Sequence, residues 1–291
     1  MVDLYPGIAR DQADRLLAFR ATHPPRQAAI AGVPWHYIAS GSGTETLLLL
    51  HGGLRIAETA FVYVQIFEDS YRVIVPTYPP LRAMAEVTDG LTALLDAEGA
   101  GRAFVLGQSY GGTVAQVFLR RHPERVKKLV LSSAHPLIAS PRERLLLLPA
   151  GALTLALLSL LPGKLPQRVF LKGILAVLAL PDSERAFWHA YLTDMVLNSL
   201  TRADILSLYR TSLDAFRRYA YAEGQTSDWP GPVLVIGSEN DPTNPQRDWD
   251  RMLALYRHAQ PCVIPGGGHT VAMSRSGEYA TAVKEFLDKR G

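Results

Sequence analysis

The sequence is short of cysteine and of charge. Its single cysteine, Cys262, excludes a disulfide within the chain. Charged residues make up 20% of the 291 residues, the net charge is +3, and no block of lysine or arginine occurs. A nucleic-acid partner is therefore not expected. The first six residues lack the basic and apolar segments of a secretory leader, so we expect a protein of the cytoplasm.

What the chain has in quantity is apolar sequence. Hydrophobic residues make up 48% of it, enough for a large core, and its length suits one domain with room for an insertion. Short apolar runs alternate with segments of helical spacing, which predicts a mainly parallel sheet with helices on both faces. The predicted strands are 28–30, 33–39, 46–50, 71–75, 103–106, 126–131, 233–236 and 261–264, and the predicted helices are 11–21, 61–67, 84–98, 113–121, 246–258 and 276–289.

This alternation stops between residues 136 and 229, where leucine is abundant and no strand is predicted. Residues 145–161 carry no charge, and about 20 apolar residues can span a bilayer. A membrane span is one alternative, although two prolines and a glycine in and beside the run disfavour it. We favour a helical cap, with further helices at 169–180 and 186–200. Most of its leucines should pack in the interior and cover an apolar cavity, or the lid could make a peripheral contact with lipid.

A serine lies at the turn between a predicted strand and a predicted helix. Residues 107–112 read Gly-Gln-Ser-Tyr-Gly-Gly, with Ser109 at the centre. In such a turn the serine has a strained backbone, and the glycines two before and two after it avoid clashes with the adjoining strand and helix. The helix also points its positive end at the serine, where negative charge develops in acyl transfer. The alternative is an ordinary strand-to-helix turn.

A serine hydroxyl needs a base to act as a nucleophile at neutral pH, and imidazole suits that role. His269 follows the last predicted strand within a loop of three glycines, at the sheet edge where Ser109 lies. His51 follows an early strand, and His135 follows the strand after the serine turn. We expect His269 to be the base and His135 to line the pocket, with His135 the alternative base.

The imidazole in turn needs a carboxylate that fixes its tautomer and stabilises the imidazolium. Asp241 comes directly after the predicted strand 233–236 and is the expected acid. Glu239 is the competitor in the same loop, and Asp250 is expected on a solvated helix. The order Ser109, Asp241, His269 along the chain is the one that this architecture requires.

Four motifs together resemble the α/β-hydrolase family, and the resemblance covers the whole chain except the cap. They are His51-Gly52-Gly53, the Ser109 turn, Gly237…Asp241…Pro245 and Gly266-Gly267-Gly268-His269. The family implies an α/β fold with a mostly parallel eight-stranded sheet. The break in the alternation of strands and helices then predicts a core domain at 1–135 and 230–291 and a helical cap at 136–229. The family also implies a mechanism without cofactor or metal.

The resemblance assigns the oxyanion hole to the backbone N–H groups of Gly53 and Tyr110. Leu54, beside Gly53, and His135 are expected to contact the substrate. The chain departs from many cap-bearing members after strand 71–75, where it reads Pro-Thr-Tyr-Pro-Pro. In this it is similar to the maspardin-like branch, whose members are not all catalytic, so the departure leaves the substrate class open.

These features predict a serine hydrolase for esters of a lipophilic acyl group or alcohol, acting through an acyl-enzyme. The turn holds a serine where dehalogenases and epoxide hydrolases carry an aspartate nucleophile, which disfavours those reactions. Carbon–carbon bond or amide hydrolysis, cofactor-free peroxidation and a non-catalytic binding protein remain alternatives on the same fold. The expected partner is a small hydrophobic ester, with the peripheral lipid contact of the cap as the alternative named above, and no sequence feature specifies an oligomeric state.

Overall fold

The structure is a computed structural model that describes Tyr5, residues 10–178, residue 180 and residues 183–289. Most of the first six residues, in which a leader was sought, lie outside the described residues. Position 179 of the predicted helix 169–180 and the two ends of the predicted core domain lie outside them as well. The eight strands form one sheet in the order β1-β2-β4-β3-β5-β6-β7-β8. β2 is antiparallel to β1 and β4, and the other neighbours are parallel. The mostly parallel eight-stranded sheet is therefore confirmed.

The described strands are β1 Arg26–Ile30, β2 Val33–Ser40, β3 Thr46–Leu50, β4 Arg72–Thr77, β5 Ala103–Gln108, β6 Val126–Ser132, β7 Val233–Gly237 and β8 Ala259–Val263. The described helices are α1 Arg10–Thr22, α2 Phe61–Phe67, α3 Met84–Ala97, α4 Tyr110–Arg121, α5 Pro141–Leu160, α6 Leu165–Val177, α7 Arg185–Asp194, α8 Arg202–Tyr219, α9 Gln246–Leu255, α10 Val271–Ser274 and α11 Ser276–Asp288. Every strand predicted from the sequence is present, with bounds that differ by at most two residues. The largest missed element is α8.

The central strands are buried on both faces. Along β3, Leu48 and Leu50 belong to the hydrophobic cluster on one side of the sheet, and Leu47 and Leu49 belong to the cluster on the other side. Alternate side chains of a strand point to opposite faces, so a continuous apolar run supplies both clusters at once. Helices α3, α4 and α8 pack in the first cluster, and helices α2, α7 and α11 pack in the second.

The segment between β6 and β7 is helical in its described part, apart from one isolated bridge between Ile138 and Tyr221. Helices α5 and α8 pack together along their length, and α6 packs on α8 as well. α7 continues into a π-helical turn at Met195–Ser199, so the helix predicted at 186–200 is two consecutive segments. Pro149 lies inside α5 without ending it.

The expectation that most leucines of the cap are buried is wrong for α5. Leu158 is its only buried residue, whereas Leu145 is 73% exposed and Leu160 is 79% exposed. The reason is geometric, because α5 rests on α8 with one side and no other described element covers the opposite side. α5 is also the one helix of the described residues that is long and apolar enough, by length and composition, to cross a membrane.

A matched pair of helical glycines tests how α3 packs on the sheet. A Cβ added at Gly90 in α3 would lie 2.0 Å from the ring of the buried Trp35, whereas one added at Gly173 in α6 would meet nothing within 4 Å. Gly90→Ala should lower the free energy of unfolding by about 2 kcal/mol or more, because the ring cannot move away within a packed core. Gly173→Ala should raise it by up to about 1 kcal/mol through helix propensity. Urea titrations measure both; equal effects would contradict this packing.

A second prediction concerns the buried His51, just past β3. Its Nε2–H donates to the carbonyl of Pro76 at 2.7 Å. Burial, against the effect of that hydrogen bond and with a smaller contribution from the charge of Arg55, lowers its pKa from 6.5 to about 4. The folded state therefore binds the proton less well than the unfolded chain does. The resulting stability is complete above pH 6.5 and is lost as the pH falls towards 4.

This loss corresponds to about 3 kcal/mol, from the interval between the two pKa values. His51→Gln should flatten the pH dependence of the unfolding free energy between pH 7 and 4 by about that amount. His258→Gln, at an exposed position, is the control and should keep the wild-type slope. Denaturant titrations at several pH values provide the measurement. An unchanged slope in His51→Gln would show that another group is responsible.

Candidate active site

Ser109 occupies a sharp turn between β5 and α4. Its φ is 53° and its ψ is −119°, a conformation that residues with a Cβ rarely adopt. A Cβ at Gly111 would lie 1.8 Å from the carbonyl oxygen of Leu50 in β3, and one at Gly107 would lie 2.5 Å from the carbonyl oxygen of Gly111. The expected steric need for both glycines is therefore confirmed. The sharp turn places the Ser109 hydroxyl at the carboxyl edge of the sheet, where it lines a cavity.

The structure brings Ser109, His269 and Asp241 together from three loops. The Ser109 Oγ lies 3.0 Å from His269 Nε2, and His269 Nδ1 lies 2.9 Å from an Asp241 carboxylate oxygen. With the proton on Nδ1, the imidazole donates to Asp241 and accepts from the serine hydroxyl. His269 and Asp241 are both buried. The arrangement can therefore remove a proton from Ser109 and hold the resulting positive charge beside a carboxylate.

Thr243 is a member of this network that the sequence analysis missed. Its Oγ1 lies 2.8 Å from Asp241 Oδ1 and 2.8 Å from His269 Nδ1, and its backbone N–H donates to the same carboxylate oxygen. Burial raises the pKa of Asp241, but the hydrogen bonds and charge of His269 and the bonds from Thr243 outweigh it, so that pKa lies below its usual value. Asp241 is therefore ionised and can stabilise the positive charge that His269 acquires when it takes the serine proton. The Asp-Pro-Thr sequence of the turn was the available signal.

The two competing acids lie elsewhere. Glu239 accepts a hydrogen bond from the backbone N–H of Gly266, and Asp250 is exposed on α9, where Gln246 donates to it. Glu239 belongs to a run of three side chains that fasten the glycine loop before His269. In that run Ser238 accepts from Gly267 N–H and Asn240 accepts from Gly268 N–H, at 2.8 and 2.7 Å. The loop after β7 therefore positions the histidine loop as well as supplying Asp241.

The two expected oxyanion donors flank Ser109. Tyr110 is the first residue of α4, where a backbone N–H has no acceptor within the helix. Gly53 lines the cavity next to Ser109. The Tyr110 side chain turns away from the cavity and shares a 2.8 Å hydrogen bond with Thr211 of α8. The assignment of the Gly53 and Tyr110 N–H groups as oxyanion donors stays a prediction.

Arg55 is a buried cation beneath this site that the sequence analysis did not identify. Its φ is 63°, and its guanidinium donates to the carbonyls of Tyr78 and Pro79 and to Ser207 of α8. It also lies 5.7 and 5.9 Å from the ring centres of Tyr78 and Tyr110. Arg55 thereby connects α8 with the loop that contains Gly53.

A cavity of about 240 Å³ opens at Ser109 and His269. Both expected substrate-contacting residues line it: Leu54 is part of its wall, and His135 stands half-exposed at its rim with Nδ1 3.0 Å from Asp248. Its described lining residues are His51, Gly52, Gly53, Leu54, Thr59, Ala60, Tyr63, Gln108, Ser109, His135, Ile174, Val177, Leu178, Trp188, Leu192, Thr243, His269, Thr270 and Met273.

This lining corrects the expectation that the apolar run 145–161 covers the cavity. No residue of that run is among the described lining residues. The lid consists instead of Ile174 and Val177 of α6, Leu178 just beyond it, and Trp188 and Leu192 of α7. Among the described residues that line the cavity there is no lysine, arginine, aspartate or glutamate. Within the described ranges, no group of three or more His, Cys, Asp or Glu side chains is arranged to hold a metal ion.

Known proteins resemble this chain along most of its length. A 2-hydroxy-6-oxononadienedioate/2-hydroxy-6-oxononatrienedioate hydrolase of Burkholderia vietnamiensis is 29% identical over 275 residues, 87% of this chain and 90% of that protein. A pimeloyl-[acyl-carrier protein] methyl ester esterase of Neisseria meningitidis is 26% identical over 213 residues, 70% of this chain and 75% of that protein. The crystal structure of a hydrolase from Pseudomonas aeruginosa superposes with a TM-score of 0.75 at 19% identity, over 91% of this chain and 99% of that one.

The family model described as alpha/beta hydrolase fold matches residues 55–276, which is well over half of the chain. The serine turn after β5 and the loops after β7 and β8 lie within that match, and β1, β2 and β3 precede it. The chain therefore belongs to the alpha/beta hydrolase family.

Proposed function

We propose that this protein is a serine hydrolase that cleaves small, uncharged, lipophilic carboxylic esters. The observation that carries the proposal is the Ser109–His269–Asp241 hydrogen-bond series at the mouth of an apolar cavity whose described lining includes no lysine, arginine, aspartate or glutamate. The cavity volume of about 240 Å³ lies just below the range of roughly 300–1,000 Å³ usual for drug-sized ligands. A short or medium ester fits such a space better than a large lipid does.

The proposed reaction has two halves. His269 takes the proton of Ser109 as its Oγ attacks the ester carbonyl, and the N–H groups of Gly53 and Tyr110 stabilise the oxyanion. His269 then gives the proton to the departing alcohol, which leaves an acyl group on Ser109. A water molecule, deprotonated by His269, attacks this acyl-enzyme, and His269 returns the proton to the Ser109 Oγ as the bond to the acyl group breaks and the acid is released. Asp241 holds the imidazole in orientation throughout.

Hydrolysis of a carbon–carbon bond is the second candidate, because relatives of 26–29% identity carry that activity in their names. The substrate named for them is a dienedioate, which has two carboxylates. A carboxylate that enters a cavity without a cationic lining residue would lose several kcal/mol of hydration without replacement. The described lining offers no such cation, so the cavity favours a neutral ester over a dicarboxylate.

The first test concerns the three site residues. Ser109→Ala and His269→Ala should each lower kcat for a nitrophenyl ester by about 10³-fold or more, because each removes a part of one proton-transfer unit. Asp241→Asn should cost less than either. Asp250→Asn, the same change on the exposed face of α9, is the matched control and should leave kcat unchanged. Full activity in Ser109→Ala would overturn the mechanism, as would a larger loss in Glu239→Gln than in Asp241→Asn.

The same experiment separates catalysis from simple binding. A fluorophosphonate should add covalently to Ser109 in the wild type and not in Ser109→Ala, which intact-mass spectrometry detects. Absence of the adduct in the folded wild type would favour a non-catalytic binding protein.

The second test concerns the cavity. Specificity (kcat/KM) should rise from acetate to longer nitrophenyl esters by a few-fold per methylene, about 0.8 kcal/mol for each buried group, until the cavity is full. Val177→Asp, at the cavity wall, should reduce this gain and affect hexanoate more than acetate. Val169→Asp makes the same change on the exposed side of the same helix and should leave the profile unchanged. A flat profile in the wild type would contradict the proposal.

The carbon–carbon alternative is tested in parallel. We expect kcat/KM for the best nitrophenyl ester to exceed that for a 2-hydroxy-6-oxo-dienedioate by at least about 100-fold, the size of an unpaired carboxylate's penalty. The reverse preference would make the ester reaction a side activity.

A further inference from the structure

We infer that the outer side of α5 is a docking surface for an anionic lipid membrane. The surface is defined here as the exposed leucines of α5, together with Leu165 and Val169 at the start of α6, and is called the leucine face. Its α5 members are Leu145, Leu146, Leu147, Leu153, Leu157 and Leu160. Each of these six is more than half exposed, and Leu165 follows Leu160 by only five positions.

The leucine face has the composition of a surface that meets hydrocarbon. The outward residues of α5 between Leu145 and Leu160 include no charged side chain. Its two hydroxyl groups are satisfied within the helix, since Thr154 donates to the carbonyl of Ala150 and Ser159 donates to that of Leu155. Neither side-chain hydroxyl of this stretch therefore has to give up a hydrogen bond to water when the face enters an apolar medium. Exposed apolar patches of this kind mark interaction sites.

The charges around the leucine face match an anionic partner. Residues 141–178 hold five basic residues and one acidic residue. The acidic residue, Glu143, is already paired with Arg251 at 2.9 Å and Arg247 at 3.1 Å. The exposed basic side chains at the two ends of α5 and along α6 are Arg142, Lys164, Arg168 and Lys172. Cations beside an exposed apolar face are the pattern of a helix that lies on anionic lipid.

The contacts of α5 favour a helix that lies on the membrane rather than one that crosses it. Arg144, at its start, donates to the carbonyls of Arg217 and Ala220 at the end of α8. Arg202, at the start of α8, donates to the carbonyls of Ser159 and Leu161 at the end of α5. Both ends of α5 are thus fastened to α8, and Gly151 lets the two helices approach closely at Leu213. Only the outer side remains for lipid.

The position of the leucine face also relates it to the cavity. α6 begins at the leucine face with Leu165 and Val169 and reaches the cavity wall with Ile174 and Val177. One helix therefore has residues at both surfaces. A protein docked in this way would hold its cavity lid beside the membrane in which lipophilic molecules are dissolved.

Vesicle co-sedimentation of the full chain tests the inference and requires no turnover. The wild type should bind vesicles of phosphatidylcholine with phosphatidylglycerol more tightly than vesicles of phosphatidylcholine alone, and added salt should weaken the difference. The double variant Leu153→Glu/Leu157→Glu should bind at least ten-fold more weakly, because it places two carboxylates in the leucine face. Leu17→Glu, at an exposed leucine of α1, is the matched control and should bind as the wild type does.

Hydrolysis of soluble nitrophenyl acetate and the circular dichroism spectrum should be unchanged in the double variant, since neither leucine lines the cavity. A second measurement keeps the test valid if that variant misfolds. A fluorophore on Leu153→Cys, in a Cys262→Ser background, should shift to the blue with anionic vesicles, whereas one on Leu17→Cys should not.

Three results would overturn the inference. They are no vesicle binding by the wild type, wild-type binding by the double variant, and a wild-type dimer that the double variant converts to a monomer without any vesicle binding. The last would identify the leucine face as a contact between two copies of the chain.

Discussion

The left-handed turn at Ser109 is the constraint on which the rest of the site depends. Such strain costs roughly 1–3 kcal/mol and persists only where the surroundings enforce it. Here Gly111 lies against the Leu50 carbonyl of β3, and the Ser109 N–H donates to the Ser132 carbonyl of β6 at 3.0 Å. The turn therefore requires β3 and β6 as the two neighbours of β5. The sheet order is in this sense part of the site, because another order would leave the serine unsupported.

Parallel strands explain why much of the site could be predicted from the sequence. Successive carboxyl ends of parallel strands meet at one edge, so residues that follow β5, β7 and β8 must lie near one another. Ser109 follows β5 directly, Asp241 and His269 lie in the loops after β7 and β8, and the distances between the three are those of hydrogen bonds. The strands themselves were predictable because burial on both faces leaves uninterrupted apolar runs.

Features that depend on contacts between distant segments could not be predicted in this way. The buried side of α8 mixes apolar residues with the hydroxyl residues Ser207 and Thr211, so no long apolar run marks the helix. Thr243 was missed because its role requires both Asp241 and His269 to be in place. The exposure of α5 was missed because periodicity shows which residues are apolar but not which side another helix will cover.

The helical insertion has two apolar sides, and only one of them is explained by folding. Residues such as Val177 and Leu192 gain from closing the cavity, and the inner side of α5 gains from contact with α8. The outer leucines of α5 stay in water, so they forgo the roughly 25 cal/mol per Å² that burial would contribute. Charged helix-forming residues there would keep the same contacts with α8 and would improve solubility. Folding therefore does not account for the outer leucines, and the membrane docking that we propose would give them a physical role.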